Sequence, residues 1–285
     1  MSARIAIVST VDMPVVDDDE LLLLPLLPEA ELAYWDDPSV NWARYEVVIL
    51  RSTWNYPDHI EEFLAWATRV SQVSRLVNPV EIIEWNTDKR YLADLASRGI
   101  ATVPSYFVSP GDLPDALAEV TPKLASHVVV KPTVGAGSKG AALFRDEPDA
   151  ALAHLRTLLD SGRTAMIQPF MSQVDEHGET ALVFIGGEFS HAVRKAAILS
   201  QNMSWSTGLY ADEKLVPTVA TDQELDLAHR IVVDLPDLAY ARVDLLPSDD
   251  GPVLLELELT EPSLFLALGE GAPERAATAF RALLP

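Results

Sequence analysis

Apolar residues alternate with polar ones in one stretch near the end of the chain, from Leu255 to Thr260, and two further apolar residues, Val253 and Leu254, precede it. Every second residue from 253 to 259 is apolar, and Glu256 and Glu258 stand between them. This period of two is that of a β-strand with one face in the core. The pattern therefore predicts a strand whose two glutamates point the same way.

A second alternating stretch, Tyr240 to Leu246, lies just upstream and places Arg242 and Asp244 on one face. The residues between the two stretches, 248–251, have the composition of a tight turn. If this turn pairs the two strands, Asp244 joins the glutamates and Arg242 lies beside them.

Three carboxylates on one face repel each other unless a cation lies between them, and Mg²⁺ prefers such oxygen ligands. We therefore interpret Asp244, Glu256 and Glu258 as candidate metal ligands. The alternative is an exposed strand face with solvated charges, which explains most isolated Glu-x-Glu pairs.

The first 85 residues alternate strand and helix signals, which is typical of a small open α/β unit. Strands are predicted at 4–9, 46–51 and 75–78, and a helix at 60–73. In such sheets ligands gather at the carboxyl ends of the strands. Ser52, Thr53 and Trp54 follow the second strand and are candidate substrate contacts, although a loop whose aromatic residues simply pack explains them equally well.

A further helix is predicted from Asn86 or Thr87, either of which can cap it, to Gly99. Lys89 would stand in its first turn, where a cation opposes the helix dipole. Because that is an odd structural choice, we interpret Lys89 as a phosphate contact.

A lysine and three glycines stand close together around the end of the predicted strand 128–132. Lys131 lies in that strand, and the loop 133–140 contains Gly135, Gly137 and Gly140. Glycine lets the main chain approach a ligand closely, so backbone N–H groups and the ammonium can bind phosphate oxygens. The loop has neither common phosphate-loop pattern, and a plain glycine hairpin stays an alternative.

Two strands joined by a Gly-Gly turn are predicted from 182 to 195, and Arg194 and Lys195 close the second strand. We interpret both as candidate catalytic or substrate-contacting residues, with a structural salt bridge as the alternative for Lys195. The segment 199–216 has no clear period, and we expect it to be a mobile flap. A helix at 223–233 precedes the carboxylate strands.

Composition limits the partners that the chain can have. A formal net charge of −22 argues against non-specific binding to nucleic acid or to an anionic membrane. The chain has no cysteine, which excludes thiolate catalysis and fits a cytoplasmic location. The apolar run 21–27 is too short to span a bilayer, and we recognise no targeting segment.

The order of these features along the chain is a lysine at a helix start, Val-Lys-Pro at 130–132, a glycine loop, Gln168-Pro169-Phe170, a basic hairpin, Arg-x-Asp and Glu-x-Glu. That order resembles the ATP-grasp superfamily, whose members activate a carboxylate with ATP as an acyl phosphate and then let a nucleophile attack it. The resemblance covers about residues 75–269. It implies an α/β (α+β sandwich) ATP-grasp fold behind an N-terminal open α/β domain, with domains at 1–85, 86–168 and 169–285.

The resemblance also implies ATP and two Mg²⁺ ions as cofactors and a small amino-acid-like substrate. Asp244, Glu256 and Glu258 would hold the metal ions. Arg242 would stabilise the oxyanion that develops when the nucleophile adds to the acyl phosphate. The residues expected at ATP are Lys89, Lys131, Gly135, Gly137, Ser138, Lys139, Gln168, Pro169 and Phe170. Ser263 joins Ser52, Thr53 and Trp54 as an expected substrate contact.

Within the superfamily, the chain resembles the ligases that close O-ureido-D-serine into D-cycloserine and their actinobacterial relatives. The similar stretches are 35–37, 41–45, 51–54, 88–96, 177–180 and 258–264. The loop 134–140 and the segment 199–214 depart from that pattern, so the reaction class is better supported than the substrate. Two alternatives for the function stay: an intermolecular amino-acid ligase and a non-catalytic nucleotide-binding protein. For the oligomeric state, a homodimer stays an alternative to a monomer.

Overall fold

The N-terminal part of the chain forms a four-stranded parallel sheet with helices packed on it. The computed structural model describes residues 4–137, 139–195, 215–235 and 238–285. The first elements are β1 (Ile5–Ser9), α1 (Asp18–Leu23), β2 (Ala30–Tyr34), β3 (Val47–Leu50), α2 (Ile60–Ser71) and β4 (Arg75–Val77). The strand order is β2-β1-β3-β4, and β1 and β3 are fully buried, as expected of short apolar runs in a parallel sheet. The three predicted strands and the predicted helix are confirmed.

Two short helices replace the single helix predicted from 86 or 87 to 99. These are α3 (Val80–Asn86) and α4 (Tyr91–Ser97). The side chain of Asn86 does not cap a helix start, because its amide donates to the carbonyl of Leu257 (2.8 Å) and accepts from the N–H of Leu259 (2.7 Å). Lys89 therefore lies in the connection between the helices, and the argument from the helix dipole was wrong.

A second, antiparallel sheet follows, in the order β5-β8-β6-β7. Its elements are β5 (Tyr106–Val108), α5 (Leu113–Lys123), β6 (Val128–Pro132), β7 (Ala142–Phe144), α6 (Pro148–Asp160) and β8 (Ala165–Pro169). Residues from α5, α6 and these strands form one small core. The glycine loop connects β6 to β7, so the prediction of a strand running into that loop is confirmed.

The third sheet has five antiparallel strands. It contains Lys195, Arg242 and the three candidate metal ligands Asp244, Glu256 and Glu258. Its elements are α7 (Val174–His177), β9 (Glu179–Ile185), β10 (Glu188–Lys195), β11 (Leu215–Thr218), α8 (Asp222–Val232), β12 (Tyr240–Leu246), β13 (Val253–Glu258) and α9 (Ala272–Arg281). The strand order is β11-β10-β9-β12-β13. Most of the predicted flap, residues 199–214, lies outside the described residues.

Both outer strands of this sheet are covered or interrupted. Beside β13, the N–H of Val103 donates to the carbonyl of Leu254 (2.9 Å), and the N–H of Leu254 donates to the carbonyl of Ala101 (2.8 Å). At the other edge, β11 contains Pro217, which has no N–H to offer a neighbour.

Buried apolar residues join the first and third sheets. One core cluster combines Ile5 and Ile7 of β1 with Val183 of β9 and Phe280 of α9. The buried Tyr240 hydroxyl donates to the carbonyls of Leu50 (2.8 Å) and Thr260 (2.9 Å). This contact fixes the carboxyl end of β3 beside the hairpin of β12 and β13, which we call the carboxylate hairpin. No helix among the described residues has the length and apolarity that crossing a membrane requires.

Candidate active site

A cavity of about 700 Å³ has a wall that includes strand residues of the second and third sheets and, from the N-terminal part, residues at α1 and in the loop after β3. This volume is within the usual range for small-molecule sites. One end of the cavity is apolar, with Val103, Val129, Leu246 and Leu255. The middle holds charged residues of both signs. The far end is formed by α1, the loop after β3 and the segment after β13.

The predicted pairing of the carboxylate strands is confirmed. Asp244 lies opposite Glu256 and Arg242 lies opposite Glu258, so all four side chains share one face. The predicted apolar alternation of β13 was wrong in one place, because a β-bulge makes Leu245 pair with Leu254 instead of Leu255. As a result Leu254 is buried in the core and Leu255 faces the cavity.

Asp244 is the centre of a buried ion network. One of its oxygens accepts from the Nζ of Lys195 at 2.9 Å, and both accept from Arg242, with Nε and Nη2 each at 2.9 Å. Arg242 also contacts Glu258, and Lys195 contacts Glu179 on β9. Burial alone would raise the pKa of Asp244, but the two cations outweigh it and hold this pKa well below its usual range.

Glu256 faces the two lysines that were assigned to phosphate. The Nζ of Lys89 lies 2.9 Å from one carboxylate oxygen and that of Lys131 lies 3.9 Å from the other. Burial raises the pKa of Glu256, yet the two ammonium groups outweigh it and keep the pKa below its ordinary value. Lys89 also donates to the carbonyl of Gly135 at 2.9 Å, which ties the site to the glycine loop.

Two glutamates of the network hold their protons to unusually high pH. Burial raises the pKa of Glu179 to about 8, although Lys195 opposes the shift. Burial, with the charges of Asp244 and Glu256, raises the pKa of Glu258 to about 7 despite the neighbouring Arg242. Burial thus favours the protonated form of two of the four carboxyl groups in this network, although four cations lie beside them.

The carboxylate oxygens of Asp244, Glu256 and Glu258 on one face fit a hard divalent cation such as Mg²⁺, since such ions bind oxygen ligands and would relieve the repulsion at Glu258. Among the described residues, however, no three acidic or histidine side chains converge closely enough to hold a metal ion together. The cations that neutralise Asp244 and Glu256 here are Lys89, Lys131, Lys195 and Arg242. The assignment of Asp244, Glu256 and Glu258 to metal stays a prediction.

We expect the free energy of unfolding of the ligand-free protein to fall as the pH rises from 6 to 8, by up to about 1.4 kcal/mol per pH unit for each carboxyl group that releases its proton on unfolding. The pKa of Glu258 is about 7, and those of Glu179 and Glu261 are about 8. In this window the folded protein keeps protons that the unfolded chain has already released, so rising pH favours unfolding. Urea unfolding at several pH values measures the effect. Glu261→Gln should reduce the slope, and an increase in stability over the same window would contradict the assignment.

The residues expected at the adenine and phosphates of ATP lie along the apolar half of the cavity. Gln168, Pro169 and Phe170 line it, and the Gln168 amide donates to the Ser105 hydroxyl at 2.9 Å. Gly135, Gly137 and Lys139 form part of the wall above them. The Nζ of Lys139 is bound to Asp58 at 2.5 Å. Ser138 lies outside the described residues.

The N-terminal domain supplies the far end of the cavity. Trp54 lines it and donates to the carbonyl of Glu261 at 3.0 Å, whereas Ser52 and Thr53 are buried behind it and are not part of the wall. These two hydroxyls therefore do not meet a ligand in this cavity. Ser263 lines the wall as expected, and Asp17 and Asp18 at the start of α1 join it.

Arg194 lies outside the cavity. Successive residues of a strand point to opposite faces, so when Lys195 enters the cavity its neighbour cannot. The guanidinium of Arg194 instead donates to the carbonyl of His177 at 2.9 Å. The structure thus separates Arg194 from the other residues predicted at the site.

Sequence reasoning assigned no role to several residues that line the cavity, among them Glu179, Glu261 and Phe265. Glu179 begins β9 beside Lys195, a pairing that follows only from the strand register. The Tyr56 hydroxyl is hydrogen-bonded to the side chain of Glu261, and burial raises the pKa of Glu261 to about 8. The only advance signal was that Glu179 and Glu261 lie within stretches that resemble the cyclo-ligases.

Comparison with known proteins agrees with the fold and family that the sequence resembled. Residues 5–78 match the model of the D-cycloserine synthetase DcsG N-terminal domain. The chain is 40% identical over 264 residues to the cycloserine biosynthesis protein DcsG of Streptomyces lavendulae, covering 88% of this chain and 87% of that protein. The crystal structure of D-cycloserine synthetase DcsG has a TM-score of 0.86 at 34% identity, covering 98% and 99% of the two chains.

More distant structures share the fold alone. A RimK-domain ATP-grasp protein from Sphaerobacter thermophilus has a TM-score of 0.70 at 18% identity, covering 99% of each chain. D-alanine–D-alanine ligase from Bacillus anthracis has a TM-score of 0.64 at 17% identity, covering 99% of this chain and 96% of that one.

The fold and the cavity define an ATP-dependent ligase of the ATP-grasp superfamily, as the sequence predicted. Within that superfamily, the chain belongs to the family of the D-cycloserine synthetase DcsG.

Proposed function

We propose that this ligase activates the carboxylate of a small amino acid with ATP and closes a ring through a nucleophile tethered in the same molecule. The substrate that we propose is O-ureido-D-serine, with D-cycloserine as the product. The observation that carries the proposal is the 40% identity to DcsG over most of both chains. The cavity supports it, since its wall combines charged residues with apolar ones, among them Trp54 and Phe265 at its far end.

Neutralisation and positioning are what this chemistry requires, because a carboxylate oxygen attacks the γ-phosphorus of ATP and both reactants are anions. We assign the phosphates to Lys89 and Lys131, which lie beside the glycine loop. Gln168, Pro169 and Phe170 would bind the adenine. Asp244, Glu256 and Glu258 would hold two Mg²⁺ ions, which supply positive charge to the transferred phosphoryl group.

The second step needs a donor for the developing oxyanion. When the tethered nitrogen adds to the acyl carbon, negative charge moves to the former carboxylate oxygen, and phosphate then leaves as the nitrogen loses a proton. Water then has to cleave the carbamoyl group from that nitrogen, with release of CO2 and ammonia, to give D-cycloserine. Arg242 is fixed by Asp244 and Glu258 beside the place where the acyl group forms, and we assign the oxyanion to its guanidinium. Lys195 contacts Asp244 and Glu179, and we assign it to binding of the amino-acid substrate beside Arg242.

The direct test is phosphate release with ATP, Mg²⁺ and O-ureido-D-serine as the single amino acid, followed by mass spectrometry. We expect phosphate release well above background and a product smaller than the substrate. An intermolecular ligase would need a second amino acid and would give a product equal to both substrates less one water. Phosphate release that responds to neither single compounds nor pairs would contradict both and favour the non-catalytic alternative.

The expected cytoplasmic location, the lack of nucleic-acid and membrane partners, and the division into domains at 1–85, 86–168 and 169–285 all stay predictions. The same holds for the choice between monomer and homodimer. The three sheets take their strands from residues 5–77, 106–169 and 179–258, which is compatible with that division.

A further inference from the structure

Phe265 has a left-handed backbone conformation, with φ of +50°, although it is not glycine. In the described residues Asp146 is the one other non-glycine residue with positive φ. A side chain in this region brings Cβ close to the backbone, so the conformation persists only when the surroundings enforce it. Such outliers cluster at functional sites, and Phe265 lines the cavity.

The buried carboxylate of Asp19 enforces this conformation. One of its oxygens accepts from the N–H of Leu264 at 2.6 Å and the other from the N–H of Leu266 at 2.8 Å. These two donors flank Phe265 on both sides. Asp19 belongs to α1 of the N-terminal domain, so a residue far away in sequence sets the backbone of the loop after β13.

Arg51 strengthens this link. Its Nη2 donates to the carbonyl of Pro262 at 2.7 Å and lies 3.2 Å from the Asp19 carboxylate. The loop after β13 is therefore bonded through its backbone at residues 262, 264 and 266. The side chains that hold it are Arg51, just after β3, and Asp19 of α1.

The enforced conformation places the ring of Phe265 over the guanidinium of Arg242, with 5.0 Å between Cζ and the ring centroid. Most N–H groups of this guanidinium already have acceptors. Nε and Nη2 donate to Asp244, and Nη2 also contacts Glu258. Nη1 donates to the carbonyl of Ser263 at 3.0 Å. A guanidinium has five N–H donors. One N–H on Nη1 thus has no acceptor in the part of the chain that the structure describes.

We propose that Phe265 is a substrate-site residue that holds the plane of Arg242 and shields the acyl phosphate from water, and that Asp19 is the positioning residue that keeps it there. The inference rests on the proposed function, in which Arg242 meets the acyl group. Stacking on an aromatic face restricts the guanidinium, so its remaining N–H keeps one direction. Excluding water matters because an acyl phosphate reached by water is hydrolysed before the ring closes.

The first experiment compares Phe265→Gly with Phe265→Ala. Both variants lose the ring, but only alanine keeps a Cβ in the left-handed region. We expect the glycine variant to melt about 2–4 °C above the alanine variant, the reverse of the usual order. Both should release more phosphate per molecule of product from O-ureido-D-serine, and their kcat/KM should fall about 10²-fold.

Asp146 offers a matched control, because it has φ of +55°, is exposed and is not part of the cavity wall. Asp146→Gly should likewise melt above Asp146→Ala, with kinetics equal to those of the wild type. If Phe265→Gly keeps the wild-type ratio of phosphate to product, the shielding role is overturned.

The positioning role of Asp19 requires a double-mutant cycle. An asparagine has one acceptor oxygen and presents a donor to the second N–H, so Asp19→Asn should raise KM for O-ureido-D-serine about tenfold while KM for ATP changes less than twofold. In the Phe265→Gly background the same substitution should have almost no further effect on KM. An equal effect in both backgrounds would mean that Asp19, which also lines the cavity, acts on the substrate directly and not through Phe265.

A measurement without substrate keeps this inference separate from the proposed function. The side-chain N–H signals of Arg242 in the ¹⁵N NMR spectrum should carry a ring-current shift in the ligand-free wild type. That shift should be lost in Phe265→Gly and reduced in Asp19→Asn. If the wild type releases no phosphate with O-ureido-D-serine, the proposed function fails. Unchanged Arg242 signals in both variants would instead overturn the Phe265 assignment.

Discussion

Arg242→Lys is expected to lower kcat about 10²- to 10³-fold, because lysine cannot reproduce the fork that reaches Asp244, Glu258 and the Ser263 carbonyl together. A lysine ammonium is a point charge and cannot keep these contacts while directing one donor at an oxyanion. Steady-state phosphate release with O-ureido-D-serine measures the loss. KM for ATP should change little, since Arg242 is assigned to the second step.

Arg194→Lys is the matched control for this substitution, since Arg194 lies on β10 of the same sheet and its guanidinium bonds to the carbonyl of His177 outside the cavity wall. Its activity should equal that of the wild type. Comparable losses in the two variants would mean that the cavity face of the sheet was assigned incorrectly, and near-normal kcat in Arg242→Lys would remove the oxyanion role.

Asp244→Asn is expected to abolish detectable turnover and to lower the free energy of unfolding by about 3–5 kcal/mol. Asp244 is buried and neutralises both Lys195 and Arg242. Without its charge, two buried cations lose their shared partner, and breaking a buried pair leaves an uncompensated charge. Urea unfolding and phosphate release measure the two effects separately.

A double variant tests this explanation. Adding Lys195→Gln to Asp244→Asn removes one of the two cations that lost Asp244. Glu179 then loses its partner Lys195, but its raised pKa of about 8 lets it take up a proton, so part of the stability should return while turnover stays absent. Asp226→Asn, on the exposed face of α8, should change neither quantity. If the double variant is less stable than Asp244→Asn alone, the buried cations are not the cause of the destabilisation.

Local patterns predicted the carboxylate hairpin because a period of two and a short turn determine which side chains share a face. Asp244 and Glu256 therefore lie opposite each other as expected. The same rule of alternation separates Arg194 from Lys195, because two adjacent residues of one strand do not both point into the cavity. The bulge at Leu255 could not be predicted, because no turn residue or glycine marks it in the sequence.

Long-range contacts account for the rest of what sequence reasoning missed. Asn86 looks like a helix cap in the sequence, yet it bonds to the backbone of β13. Asp19 looks like one more surface acid at a helix start, yet it is buried and holds the loop around Phe265. Neither partner lies near enough in the chain for a periodic pattern to reveal it.

The covered edges of the third sheet limit how two copies of this chain could associate. An open strand edge offers unpaired N–H and carbonyl groups to another chain and is a common route to aggregation. Here residues 101–103 occupy the position beside β13, and Pro217 removes a donor from β11. Pairing of a second copy along β13 is thus blocked at Leu254, so a homodimer of this chain is not expected to extend the third sheet through that strand.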